Sequence, residues 1–232
     1  MLNRKLSDGS SFCELIEFEP SVRSSIEHLL DPAVPVLPQT VLFLELLLDE
    51  PSIDLAAISQ LILEDVGATL QILRLAAREF GRADCPLRIQ DCIASLGVRV
   101  CLDALSMRTA RYDDRYHVVA ESWNHSRQIA EFCRLLAEDS QKISPENAYL
   151  IGLLHEVGSL PAILGWRQPG RDLGDATLAG SRLVKKWSFP AFIADSLEEA
   201  SAHDQPSEWS NLLRNAHHLA ALSAGQERLR LM

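Results

Sequence analysis

Between Leu37 and Asp49 the apolar residues Leu37, Val41, Leu44 and Leu48 recur at three- and four-residue intervals, the spacing of one helical face. Pro38 suits the first turn of this helix, where a missing N–H leaves no bond unmade, and Pro51 stops it. Asp54 is placed to cap a second helix, on which Leu55, Ile58, Leu61 and Ile62 share a face. After Asp65 a third run, with Val66, Leu70, Leu73, Ala77 and Phe80, should end at Gly81. Two shorter helices are expected at Ile89–Leu96 and Val98–Met107, joined across Gly97. The polar stretch 110–117 reads as a connection. Later helices are predicted over 119–140, 145–156, 175–188, 190–202 and 207–224. Ser144 caps the second of these, with Pro145 at its first position, and Ser188-Phe189-Pro190 separates two others.

No alternating β-branched run bounded by hairpin turns is present, nor any internal repeat. The Gly- and Pro-containing stretch 166–175 reads as an ordered loop. The chain is therefore expected to form one all-α helical bundle over 31–224, preceded by a helical extension at 1–30 and followed by a short tail at 225–232. In the extension, Phe12, Leu15, Ile16 and Phe18 fall on one helical face that suits docking on the bundle or on a partner.

Composition narrows the class. The chain has 232 residues, 47% of them hydrophobic and 23% charged, an ordinary globular usage. The longest stretch free of Asp, Glu, Lys and Arg, from Pro32 to Leu44, carries three prolines and falls short of the roughly 18 apolar residues that span a membrane. No apolar leader is visible at the N-terminus. With 32 acidic and 22 basic residues the net charge is −10, which on average repels a polyanion and disfavours nucleic acid as a partner. Five cysteines without a CxxC pair point to reduced thiols in a cytoplasmic protein rather than to a disulfide framework. Cys101 and Cys133 have no base beside them in sequence, so burial is their expected role. The four tryptophans are expected to anchor helix contacts. No Gly-rich phosphate loop and no serine-hydrolase elbow occurs.

Seven histidines offer the main chemistry. His125 and His155 lie in helical, partly apolar surroundings, and Glu156 follows His155 directly. Imidazole and carboxylate groups from separate helices can converge on Fe, Mn, Zn or Mg inside a bundle and activate a water toward a phosphate ester. The plainer alternative is two histidines hydrogen-bonded within the core, with Glu156 as their partner or as a solvated residue. Adjacent residues on a helix point about 100° apart, so His217 and His218 are expected to be one packed and one surface imidazole rather than a chelating pair.

The ordered set Leu37-Pro-Gln39, Leu63-Glu-Asp65, Leu73-Arg-Leu-Ala76, Ile93-Ala-Ser-Leu-Gly97, Trp123-Asn-His-Ser126 and Gly152-Leu-Leu-His-Glu-Val-Gly-Ser-Leu160 closely resembles the HDOD domain, an HD-related output domain of bacterial signal transduction. The resemblance covers roughly 30–224. It implies an all-helical bundle related to the HD-domain phosphohydrolases, which hold metal with a His, a His-Asp doublet and a later Asp. On that pattern His125 stands at the first His, His155 at the doublet His, Glu156 in place of the doublet Asp, and Ala221 in place of the last Asp. His203 and Asp204 match a paired-His segment of which one His remains, and are possible accessory ligands. Asp65-Val66 and Ala77-Arg78 depart from the Asp-Pro and Asn-Ser steps usual in relatives.

The resemblance thus implies a regulatory, non-catalytic signalling module. It would need no cofactor, would carry a degenerate metal site at His125, His155 and Glu156, and would act through a signalling protein partner. The alternative it leaves open is a metal-dependent phosphohydrolase of a nucleotide or cyclic dinucleotide, using a divalent metal such as Fe, Mn or Zn.

Overall fold

A computed structural model describes residues 34–50, 52, 54–109, 116–140, 142–166, 176–201 and 207–230. The expected extension at 1–30, most of the loop at 166–175, Cys13, His203 and Asp204 lie outside the described residues. In chain order the helices are α1 (Pro38–Leu48), α2 (Leu55–Leu63), α3 (Val66–Asp84), α4 (Ile89–Leu96), α5 (Val98–Ser106), α6 (Tyr116–Ser140), α7 (Pro145–Leu154), a 3-10 turn (Val157–Ser159), α8 (Leu160–Ile163), α9 (Ala176–Lys186), α10 (Ala191–Ala200) and α11 (Glu208–Arg230). The only β pairing among the described residues is a bridge between Val36 and Thr109. The fold is all-α.

Helix α3 forms the axis of the core, with every residue from Val66 to Ala77 buried. Burying Thr69 and Gln71 is tolerable because each finds a backbone acceptor: Thr69 Oγ1 donates to Ile62 O at 2.9 Å, and Gln71 Nε2 to Val34 O at 2.9 Å. Asp65 caps α3 by accepting from Ala68 N at 3.1 Å and ties it to α1 by accepting from Leu37 N at 2.8 Å. Burial pushes the Asp65 carboxyl above the usual carboxylate range, against these same hydrogen bonds, which pull it down. Gly67 lets the chain pass close: a Cβ there would stand 1.9 Å from Pro35 O.

Helices α6 and α7 form the most extensive pair, α11 lies across α6, and α10 bridges α9 and α11. At the α6–α7 crossing Gly152 faces Ala130, and a Cβ on Gly152 would meet Ala130 Cα at 2.8 Å. The missing side chain lets the two helices touch backbone to backbone. Trp123, Trp187 and Trp209 are buried as expected, while Trp166 is only partly so. Cys85, Cys92, Cys101 and Cys133 are free and buried. Burial pushes the Cys101 and Cys133 thiols up to about 12, which leaves them unreactive.

Several boundaries differ from expectation. Gly81 adopts φ 77°, so it kinks α3, yet the chain resumes helical turns to Asp84. Helix α6 starts at Tyr116 rather than 119, and α11 continues to Arg230, past 224. The helices expected at 175–188 and 190–202 are trimmed to α9 and α10, whose separation at Ser188–Pro190 is as read. The helix expected over 145–156 stops at Leu154, because Glu156 leaves helical geometry (φ −99°, ψ 11°) to enter the 3-10 turn. Among the described residues no single helix is long and apolar enough to cross a membrane.

Candidate imidazole cluster

The close α6–α7 contact sets the position of His155. Ser144 opens α7 by accepting from Asn147 N at 3.2 Å, and the helix runs buried from Ala148 to its end. One turn before His155, Gly152 presses on α6, so the C-terminus of α7 lands beside His125 in the middle of α6. The third side of the junction is α11, which brings His217. The ring centroids of His125 and His155 are 5.6 Å apart, those of His125 and His217 5.4 Å, and those of His155 and His217 4.9 Å. One nitrogen from each ring can be chosen so that all three lie within 4.8 Å of one another.

The three rings differ in environment. His155 is 4% exposed, whereas His125 and His217 are partly open to solvent. His155 Nδ1 lies 2.7 Å from Gly152 O. A carbonyl only accepts, so Nδ1 carries the proton and Nε2 keeps a free electron pair. That Nε2 is buried and has no hydrogen-bond partner. Burial holds the His155 imidazolium far below its ordinary range, to about 3, and the neighbouring His217 and His125 push the same way against the Gly152 contact. Burial also lowers His217, and His125 adds to this while Glu156 opposes it. His155 is therefore neutral at pH 7.

Glu156 leaves the helix just after His155 and turns its carboxylate toward the cluster, with Oε1 3.7 Å from His125 Nε2 and 3.9 Å from His155 Nε2. These separations suit charge compensation across the cluster rather than short hydrogen bonds. Of the residues singled out in sequence, the structure brings His125, His155 and Glu156 together. It also adds His217, expected from sequence to be a packed or surface side chain. Its neighbour His218 is exposed. His217, however, meets two other imidazoles instead of an apolar wall. The available signal was its position four residues before Ala221, one turn along the same face of α11.

Three converging imidazoles, with the buried Nε2 of neutral His155 left without a partner, fit a divalent ion that favours nitrogen donors. A long helix, a helix ending in a His-carboxylate step and a third helix closing over both meet at one junction of an all-helical protein. The chain belongs to the HDOD domain family, whose profile matches residues 34–167, more than half of the sequence. Its structure is similar to that of the MmoQ response regulator from Methylococcus capsulatus str. Bath, with 22% identity and a TM-score of 0.67, over 83% of this chain and 87% of that one. It is also similar to a virulence factor from Campylobacter jejuni subsp. jejuni, with 19% identity and a TM-score of 0.57, over 87% of this chain and 82% of that one. At such identities the likeness concerns the fold. No curated protein matches the sequence.

Proposed function

We propose that this chain is a cytoplasmic regulatory module that relays a signal by binding a protein partner and turns over no substrate. The observation that carries this reading is the charge around the cluster. Among the described groups whose charges act on His155 and His217 there is no Lys or Arg. A phosphoester site needs cationic clamps on the phosphoryl oxygens as well as a place for an attacking water, and three imidazoles beside one carboxylate, with no Lys or Arg, offer no such clamp.

A protein-binding surface lies elsewhere. Leu42, Phe43 and Leu46 of α1 are each about half exposed, at 54%, 51% and 54%. Phe43 also lines a groove between α1 and α6 whose walls include Leu37, Leu61, Ala120 and Trp123, with Glu64 and Arg127 among its polar lining residues. An apolar strip with charged flanks suits an amphipathic helix of a partner. The net charge of −10 favours a protein over nucleic acid. The fold shared with a response regulator supports a place in signal transduction.

The second reading, a metal-dependent phosphohydrolase of a nucleotide or cyclic dinucleotide, is favoured by the cluster itself. His125, His155 and Glu156 would then hold a divalent metal such as Fe, Mn or Zn, which supplies Lewis acidity when bound, and Glu156 would accept the proton of the attacking water. Hydrolysis of bis(p-nitrophenyl) phosphate and of cyclic dinucleotides, measured with each metal, separates the two. The regulatory reading expects rates equal to those of His155→Ala. A turnover that disappears in His155→Ala establishes the enzyme.

A further inference from the structure

We propose that His125, His155 and His217 together hold one first-row transition-metal dication of imidazole preference, such as zinc, with Glu156 balancing its charge. This inference stands whether or not the chain hydrolyses anything.

The first support is convergence from distant parts of the sequence. One imidazole comes from the middle of α6, one from the end of α7 and one from α11, and their ligating nitrogens lie within 4.8 Å of one another. The second is independent of that spacing. His155 Nε2 is buried without a partner, in a residue only 4% exposed. Leaving a buried acceptor unmade costs on the order of 1–3 kcal/mol, and the described chain offers it no donor. A metal ion resolves that deficit, and the bond from Nδ1 to Gly152 O at 2.7 Å is the outer contact that commonly orients a ligating histidine.

The donor set also says which ion. Three imidazoles suit Zn, Co, Ni or Cu, whereas Mg and Ca require a cage of oxygens. A tetrahedral ion with M–N bonds of about 2.0–2.1 Å separates its nitrogens by roughly 3.4 Å. The widest gap of 4.8 Å must therefore close by about 1.4 Å. His155 is fixed by burial and its Gly152 contact, so closure falls to His125 and His217, which are partly exposed and free to turn about their side-chain bonds. Binding would fasten α11 to the α6–α7 pair.

The test uses the full chain stripped with a chelator and titrated with Co(II), read by its visible d–d absorption, and with Zn(II) in competition with a chromophoric chelator. Wild type should take up one ion per chain with the intense spectrum of a four-coordinate site. His217→Ala and the bulkier His217→Gln should each weaken binding by more than the roughly 10–100-fold that loss of a supporting residue costs, and Glu156→Gln by about that amount. His218→Ala, altered on the solvent side of the same helix, should bind as wild type. Circular dichroism in chelator shows that the variants remain helical. If wild type binds neither ion, or if both His217 variants give the wild-type Co(II) spectrum and affinity, the proposed site is wrong.

Discussion

Replacing Gly152 with Ala tests the contact that positions His155. On a free helix the change is favourable by about 0.5–1 kcal/mol, because glycine gives up more backbone freedom than alanine. Here the added Cβ would lie 2.8 Å from Ala130 Cα, 3.0 Å from Cys133 Sγ and 3.1 Å from Cys133 Cβ. Carbon atoms pack best at about 3.5–4.0 Å, so α6 and α7 must separate by something near 1 Å. Overpacking of this kind costs about 1–3 kcal/mol, and the net expectation is a loss of about 1–2 kcal/mol. Urea unfolding followed by circular dichroism measures it directly. The added Cys133→Ala change should restore little, because the tightest contact is to the backbone of Ala130. The same separation draws His155 away from His125, so Co(II) affinity should fall along with stability. A Gly152→Ala protein as stable as wild type would refute the claim that the crossing is closed backbone to backbone.

Three further outcomes follow from the same structure. His155 stays neutral in the fold down to about 3, while in the unfolded chain it takes a proton near 6.5, so its contribution stands in full above 6.5 and is lost as pH falls toward 3. In chelator the wild-type unfolding free energy should fall by up to about 1.4 kcal/mol per pH unit across that window, His217 acting in the same direction, and His155→Asn should flatten the slope; equal slopes would contradict it. Ser144→Ala removes the acceptor for Asn147 N and should cost about 1 kcal/mol in urea unfolding, with no change in metal affinity. Leu42→Glu combined with Leu46→Glu, on exposed positions, should leave the unfolding midpoint within about 0.5 kcal/mol of wild type, since these side chains are not core.

Local signals in the sequence were sufficient for most of the helices. Asp54 does cap α2, accepting from Ala56 N at 2.9 Å and Ala57 N at 3.2 Å, and Pro38 sits in the first turn of α1 as its chemistry dictates. The end of α7 was harder to read, because the apolar pattern continues past Leu154 while the backbone turns at Glu156. That turn lets a residue one methylene longer than Asp return its carboxylate to within 4 Å of both His125 and His155, where a regular helix would carry it elsewhere. His217 shows the other limit. Periodicity says that one of two adjacent histidines faces inward, but what it meets depends on how α11 crosses α6, a contact between residues far apart in sequence. The resemblance pointed to Ala221, and the imidazole stood one turn earlier.

Helices α6, α7 and α11 bring three imidazoles to one junction suited to a metal. An anomalous difference map from crystals grown with zinc, recorded on both sides of the zinc absorption edge, tests this most directly. One strong peak bounded by His125, His155 and His217 is expected, and no such peak in His217→Ala crystals. A peak confined to surface carboxylates, or none, would contradict it.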